Sequence, residues 1–374
     1  DVYKRQVMAL GCLGIGFSAS LRRKDLVENK SSSSESSKNA SLSFAYWTGI
    51  GLFIASMIFL ALAIATFGNL LNYSRLDFFR SVDDTRGVWA FLMVLPSSII
   101  LLVIGAQTRF QKYISYAIFG VGFTVLLFSG YRSMALFPLM AGAIIWVKTG
   151  RKIPFLVASG IVVAGLVAVS AIGMLRAMGT YSEINLDAVK GSIKQANVQD
   201  AIELGGTALL LANTMRRVPK KDQDWCGIPY LRHFRIAIPR VMPGKRDASQ
   251  MNMSNPENVR KLNPGRWITY RLAPWKYKGG EGLGFSAVGE AYINFGLVGV
   301  LVFFCGLGFF LGRLESVNLL RNPKLLVFVT VAFWPLLKTV RNDFGVFLKP
   351  LFFTLIIIMI WHVSTKLFVR SRRI

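Results

Sequence analysis

The sequence is poor in the side chains on which soluble proteins and metalloproteins depend. Charged residues make up only 17% of the 374 residues, against 53% hydrophobic residues, which leaves too little polar surface to coat a soluble globule of this size. The three cysteines, Cys12, Cys226 and Cys305, imply neither a disulfide framework nor a metal cluster, and two histidines, His233 and His362, leave no zinc site. The chain is therefore predicted to be an integral membrane protein with no metal and no cofactor.

Long apolar runs recur along most of the chain. A helix needs about 20 apolar residues to cross a bilayer. We therefore predict an all-α polytopic membrane protein of about eight transmembrane helices plus a truncated N-terminal one, with one long, partly helical external loop. The predicted helices are 7–19 (the truncated one), 43–67, 87–106, 112–130, 134–147, 153–175, 289–312, 324–337 and 346–366.

The first residues have no membrane character. The opening "DVYKRQ" resembles the in-frame translation of a sequencing-library transposon end, and it leads without a methionine into an apolar run of 13 residues. We interpret this run as the tail of a cut helix. The predicted organisation is an adaptor artefact at 1–6, an N-terminal transmembrane bundle at 7–175, an external loop at 176–288 and a C-terminal bundle at 289–374.

The formal net charge of +25 is distributed between the apolar runs. In a soluble protein it would suggest nucleic acid, but no RNA- or DNA-binding pattern is present, so we predict no nucleic-acid partner. Basic residues in short loops face the cytoplasm. This rule makes the basic connectors cytoplasmic. The alternate connectors are then external: 68–86, the turn at Arg132, the loop 176–288 and the link 338–345. The rule also favours a hairpin over 112–147, because one kinked span would put its basic flanks on opposite sides.

The loop 176–288 carries eighteen Lys/Arg against nine Asp/Glu. Its segment 185–219 predicts one or two amphipathic helices that stop at Pro219. The second half mixes Pro, Gly, Trp, Tyr and Arg with little periodicity, which favours an irregular loop that contacts a ligand. Arg forks suit a diphosphate and aromatic rings suit sugars, although the same residues also anchor helices at lipid headgroups.

The stretch "GLGFSAVGEAYINFG" (282–296) places polar residues at the start of an apolar run. Glu290 and Asn294 are four residues apart and therefore share one helical face. By the predicted topology they lie at the external end of their helix, where a carboxylate costs less than in mid-membrane. The pattern predicts the wall of a cavity, with helix capping as the alternative.

Three segments carry a family resemblance. Residues 282–316 resemble the Glu-x-Tyr-x-Asn-Phe-Gly segment and following Gly-rich helix of the Wzy-type O-antigen and oligosaccharide repeat-unit polymerases. The stretch "SGYRSMALFPL" (129–139) is similar to the family's Gly-x-Arg segment, and "KTVRNDFGVF" (338–347) is similar to its late Arg-x-Asp-Phe turn, with Asn342 where Gly is common. The resemblance covers about 130–350.

The resemblance implies a membrane glycosyltransferase of the GT-C kind. Such an enzyme takes an oligosaccharide repeat carried on undecaprenyl diphosphate at the outer face of the bacterial cytoplasmic membrane and transfers the growing chain onto the next lipid-linked unit. No nucleotide sugar is needed, which agrees with a sequence that has no phosphate-loop or dinucleotide motif. Its expected partners are the undecaprenyl-diphosphate-linked oligosaccharide, membrane lipid, a chain-length regulator and a flippase.

The chemistry of this transfer selects candidate residues. The acceptor hydroxyl needs a base, for which Glu290 or Asp343 is the candidate, and a leaving diphosphate needs cations. The predicted substrate-binding residues, for diphosphate and sugar, are Arg132, Arg240, Arg266, Arg271, Tyr292, Asn294 and Arg341.

Two other classes of function remain open at this stage. A ligase that moves finished polysaccharide onto the lipid A core would share the architecture. A flippase or transporter for the lipid-linked sugar would carry charges near mid-membrane, whereas here they concentrate at the external ends of the helices. A non-enzymatic anchor would not need the Arg- and aromatic-rich loop.

Overall fold

The computed structural model describes residues 2–21, 35–67, 90–128, 132–150, 206–218, 220, 225–237, 264–278 and 282–371, and within these ranges it is helical with no strand. The helices are α1 (Val2–Leu21), α2 (Glu35–Phe67), α3 (Ala90–Gly105), α4 (Arg109–Phe128), α5 (Arg132–Lys148), α6 (Gly206–Arg217), α7 (Ile228–Ala237), α8 (Pro264–Leu272), α9 (Pro274–Lys278), α10 (Ala287–Ser316), α11 (Pro323–Lys338) and α12 (Gly345–Ser371), with a short 3₁₀ turn at Leu319–Arg321.

The all-helical membrane architecture agrees with the sequence prediction. Among the described residues, three helical segments are long and apolar enough to cross a bilayer: Lys38–Leu62, Ala287–Glu315 and Gly345–Ser364. Shorter apolar segments lie in α1, α3 and α5. The predicted count of about eight spans remains a prediction, and the predicted span 153–175 falls outside the described residues. The runs 112–130 and 134–147 form two separate helices, α4 and α5, which contact each other as the hairpin interpretation requires.

The larger hydrophobic core joins α2, α3, α4, α5, α11 and α12. Its centre is apolar, with Leu95, Leu101 and Trp334 fully buried. The Trp334 indole N–H donates to Ser97 Oγ at 2.9 Å, so a buried polar group on each helix has its partner. This pairing ties α11 to α3 inside the bundle.

A second core joins α1, α6, α8 and α10 around Trp225 and Trp267, whose rings meet edge to face at 5.4 Å. Helix α1 packs along α10 with very close backbone approach. A Cβ at Gly16 or Gly308 would collide with the backbone of the facing helix, so these positions require glycine. Helix α10 therefore belongs mainly to this second core, while α11 and α12 belong to the first.

The loop between the bundles is more helical than the sequence indicated. Helix α6 ends at Arg217, just before Pro219 as predicted, and residues 185–205 lie outside the described part. The prediction of an irregular second half is wrong for its described residues, which form α7, α8 and α9. Pro264 and Pro274 are the first residues of α8 and α9, where proline starts a helix instead of breaking it. Trp267 in α8 is almost fully buried and anchors the segment to the second core.

Candidate active site

The polar end of α10 is a short, separately anchored segment. Phe295 and Gly296 have non-helical backbone angles, and Gly296 has a φ of +60°, so the helix is broken after Asn294. The break frees the carbonyl of Ile293, which accepts the N–H of Trp225 at 2.9 Å. The loop thereby joins the helix at the break, and residues 287–294 form a unit of about two turns.

The start of α10 is fixed to the connector between α11 and α12. Ser286 caps the helix by accepting the N–H of Gly289 at 3.1 Å. On the other side of the cap, the N–H of Phe285 donates to the Arg341 carbonyl, and the N–H of Ala287 donates to the Thr339 carbonyl, both at 3.1 Å. These bonds bring two of the three segments that carry the resemblance, 282–296 and 338–347, directly together.

Glu290 is completely buried at this junction. Its Oε2 accepts the backbone N–H of Phe344 at 2.6 Å, and its Oε1 lies 3.0 Å from His233 Nε2. A buried carboxylate requires such partners, because removal from water otherwise costs several kcal/mol. One side chain of α10 thus holds both the α11–α12 connector and the loop helix α7.

Asp343 is the second carboxylate of the cluster. Its Oδ1 accepts the N–H of Gly345 at 3.1 Å, which caps the start of α12, and the same oxygen lies 3.9 Å from His233 Nε2. A Cβ at position 345 would lie 2.5 Å from His233 Nδ1, so glycine is required for the ring to come this close. Glu290 and Asp343 therefore face the same ring nitrogen of His233, Nε2.

Burial sets the proton affinity of Asp343. Desolvation raises the pKa of this carboxyl above its ordinary value, while His233 and the N–H of Gly345 act in the opposite direction. Lys338, also buried, interacts electrostatically with Asp343 from the end of α11. The site thus combines two carboxylates, an imidazole and an ammonium group away from bulk water.

Asn294 connects the short segment 287–294 to the start of α7. Its Oδ1 accepts the N–H of Gly227 at 3.0 Å, and its amide donates to the Glu290 carbonyl at 2.8 Å. Tyr230, half-buried, stacks on the Phe295 ring at 6.5 Å and meets the Phe344 ring edge-on at 5.7 Å. Asn294 therefore fixes the N-terminal end of α7, and aromatic rings cover the cluster next to it.

The predicted cationic residues of the described part differ in how close their segments come to Asp343. Arg266 follows Gly265, whose Cβ position would lie 3.7 Å from Asp343 Oδ2, and Arg341 lies two residues before Asp343. Arg271 is further along α8, and its carbonyl accepts a guanidinium N–H of Arg217 at 3.4 Å.

Of the remaining predicted residues, one lies away from the cluster and two fall wholly or partly outside the described residues. Tyr292 points into the second core, where its hydroxyl donates to the Val218 carbonyl at 3.4 Å, away from Glu290. Arg132 is the first residue of α5, and its side chain is outside the described part. Arg240 lies wholly outside the described residues. The roles predicted for these three residues remain predictions.

Sequence reasoning did not identify His233 and Lys338 as site residues. His233 had been considered only as a zinc ligand, although its occurrence in a loop otherwise rich in arginine is a usable signal. In the part of the chain that the structure describes, no group of three or more His, Cys, Asp or Glu side chains is arranged to hold a metal ion. The chemistry available to the cluster is proton transfer and electrostatic positioning.

Comparison with known proteins gives one match. No curated protein sequence and no solved structure matches the chain. The model of one family, described as O-antigen polysaccharide polymerase Wzy, matches residues 6–370, which is nearly the whole length. The match includes all three motif segments and the entire Glu290–His233–Asp343 cluster. The chain belongs to the O-antigen polysaccharide polymerase Wzy family.

Proposed function

We propose that this chain transfers a growing oligosaccharide from undecaprenyl diphosphate onto the next lipid-linked repeat unit, at the outer face of the bacterial cytoplasmic membrane. Membership of the Wzy family makes the chain an O-antigen polymerase and thus a polymerising glycosyltransferase of the membrane. The observation that carries the proposal further is the buried Glu290–His233–Asp343 cluster, located where the membrane helices α10 and α12 meet the loop helix α7.

The reaction needs one proton to move. The acceptor hydroxyl attacks the anomeric carbon of the donor sugar, the bond from that carbon to the diphosphate oxygen breaks, and the hydroxyl proton passes to a base. Both oxygens of Glu290 already have partners in the fold, whereas Asp343 Oδ2 faces the start of α8. We therefore assign proton acceptance to Asp343, and we assign to Glu290 the task of holding His233 against it.

The leaving diphosphate needs positive charge on the same side. Among the predicted cations that the structure describes, Arg266 follows Gly265 at the start of α8, close to Asp343, and Arg341 lies two residues before Asp343. A guanidinium binds phosphate oxygens through two parallel N–H donors, and it keeps its charge at any physiological pH. In this assignment the cations receive the diphosphate as the carboxylate receives the proton.

The test is polymer formation in a strain that lacks its own polymerase. Glu290→Gln and Asp343→Asn keep shape and hydrogen-bonding capacity but remove the charge. Asp343→Asn is expected to lower the rate of polymer formation at least about a hundredfold, the usual scale for a lost acid–base group. Glu290→Gln is expected to lower the rate as well, because it removes the charge that holds His233. The readout is the ladder of chain lengths on a gel, normalised to the amount of inserted protein.

The matched control is Glu315→Gln at the other end of α10. Glu315 is half exposed and pairs with Lys148 at 2.7 Å, and exposed ion pairs contribute little. This variant is expected to polymerise normally. If Glu290→Gln and Asp343→Asn both insert and make full-length chains, the cluster is structural and the assignment of the proton step is wrong.

A further inference from the structure

Helix α7 has an exposed apolar face in addition to its buried polar one. Ile228, Leu231 and Phe234 are 51%, 73% and 47% exposed. Their spacing of three residues places them on one side of the helix. His233 is 5% exposed and lies on the opposite side, against Glu290. A soluble loop helix would present the reverse pattern, with polar residues outside.

The position of α7 indicates what covers this face. Its N-terminal end contacts α10 through Tyr230, which stacks on Phe295 at the helix break. Its other end packs on α12, where the Phe234 ring meets the Phe352 ring edge-on at 6.4 Å. Both α10 and α12 are long and apolar enough to cross a bilayer. The helix therefore lies between two candidate membrane spans.

The contact with α12 also gives a depth. Phe352 follows Gly345, the first residue of the candidate span, by seven positions, which corresponds to about 10 Å along the helix axis. Phe234 is thus beside the span and not above its end. On α10, Val298 and Val302, which follow the break, are also exposed, at 65% and 68%. At this depth the neighbouring medium is hydrocarbon.

We propose that α7 is a short membrane-embedded helix, with Ile228, Leu231 and Phe234 in contact with the acyl chains of the bilayer and His233 facing the active site. Ten residues span about 15 Å, half of the hydrocarbon core, so the helix enters and leaves on the same side. The interior backbone groups bond within the helix, and at its start the N–H of Ile228 donates to the Trp225 carbonyl at 3.0 Å, which reduces the number of polar backbone groups that would face lipid. The consequence is that one thin element separates the buried cluster from lipid.

The experiment measures lipid exposure directly. A nitroxide label is attached to Leu231→Cys in the full chain, with Cys12, Cys226 and Cys305 replaced by serine, and the protein is reconstituted in liposomes of bacterial phospholipid. Collision rates are then measured with oxygen, which concentrates in hydrocarbon, and with a water-soluble nickel complex. The control position is Lys220→Cys, an exposed residue of the same loop.

The expected ratio of oxygen to nickel collision rates is several-fold higher at position 231 than at position 220. A label at 231 that collides with nickel as often as the control would place the face in water and overturn the proposal. A label that neither reagent reaches would show that a second copy or another segment of this chain covers the face, which also overturns it. Ile228→Cys gives the same measurement should Leu231→Cys fail to fold, and none of these outcomes depends on the proton step.

Discussion

The bond between Glu290 and His233 can be tested by its energetic coupling. Glu290 is fully buried, and its Oε1 lies 3.0 Å from His233 Nε2. His233→Ala leaves that carboxylate oxygen without its partner, and leaving a buried charge unpaired in this way costs about 3–5 kcal/mol. Glu290→Gln removes the charge and weakens two hydrogen bonds, each of which is worth about 1.5–3 kcal/mol when it involves a charged group.

The double variant should cost less than the sum of the two single changes. Once residue 290 is an uncharged amide, removing His233 no longer leaves an uncompensated carboxylate. We therefore expect a coupling free energy of about 2 kcal/mol, within the range for residues in direct contact. The free energy of unfolding is measured by reversible titration with SDS in mixed micelles, followed by circular dichroism. The variant His233→Gln, whose amide can donate to Glu290, should recover part of the loss.

The pair Lys148 and Glu315 is the internal reference for this cycle. Glu315 is half exposed and its contact with Lys148 is screened by solvent, so their coupling should stay below about 1 kcal/mol. If the Glu290 and His233 changes add to within about 0.5 kcal/mol, the two side chains do not form the pair described, and the geometry of the site is refuted.

Three further predictions concern Arg266, Cys226 and Asp343. Arg266→Ala should abolish polymer, and Arg266→Lys should not restore it, because a lysine lacks the planar fork. The control Lys276→Ala on α9 should leave polymer formation unchanged. Full-length polymer from both Arg266 variants would make Arg266 a headgroup anchor. Cys226, exposed in the long loop, should react with a membrane-impermeant thiol reagent in spheroplasts, while a cysteine at Ser33 should not; the reverse result would invert the topology. Burial raises the pKa of Asp343 above 3.8, so the folded state binds this proton more tightly than the unfolded chain does. The unfolding free energy of the wild type should therefore fall relative to that of Asp343→Asn as pH rises from 3.8 through the raised pKa. A rise in the unfolding free energy over this range would contradict the burial of Asp343.

The membrane helices were predictable because their signal is local. A run of apolar residues identifies a span without any knowledge of its neighbours, and the bounds of α10, α11 and α12 lie close to the predicted ones. The pairing of Glu290 with Asn294 was also local, since four residues separate them on one helix. Asp343 was predicted only as an alternative base, and its position beside Glu290 was not predicted; the structure supplies the cause in the bonds between 285–287 and 339–341.

The loop was not predictable in the same way. The helices α7, α8 and α9 are short, α8 and α9 begin at prolines, and the burial of these helices depends on α10 and α12, so no periodicity long enough to detect is present. His233 meets Glu290 across 57 residues of sequence, a contact that no spacing rule contains. The break at Phe295–Gly296 depends on the positive φ of Gly296. The sequence contains 34 glycines and does not distinguish this one from the others.

That break in α10 has a mechanical consequence. Residues 287–294 are attached to the α11–α12 connector and to the loop, whereas the remainder of the helix packs along α1. Membrane helices tilt when the thickness of the surrounding bilayer changes. A continuous helix would transmit every such tilt to Glu290. The break at Gly296 instead allows the longer segment to tilt while the Glu290 carboxylate keeps its position relative to Asp343. The geometry between Glu290 and Asp343 can thus be kept while the lipid surroundings strain the rest of the helix.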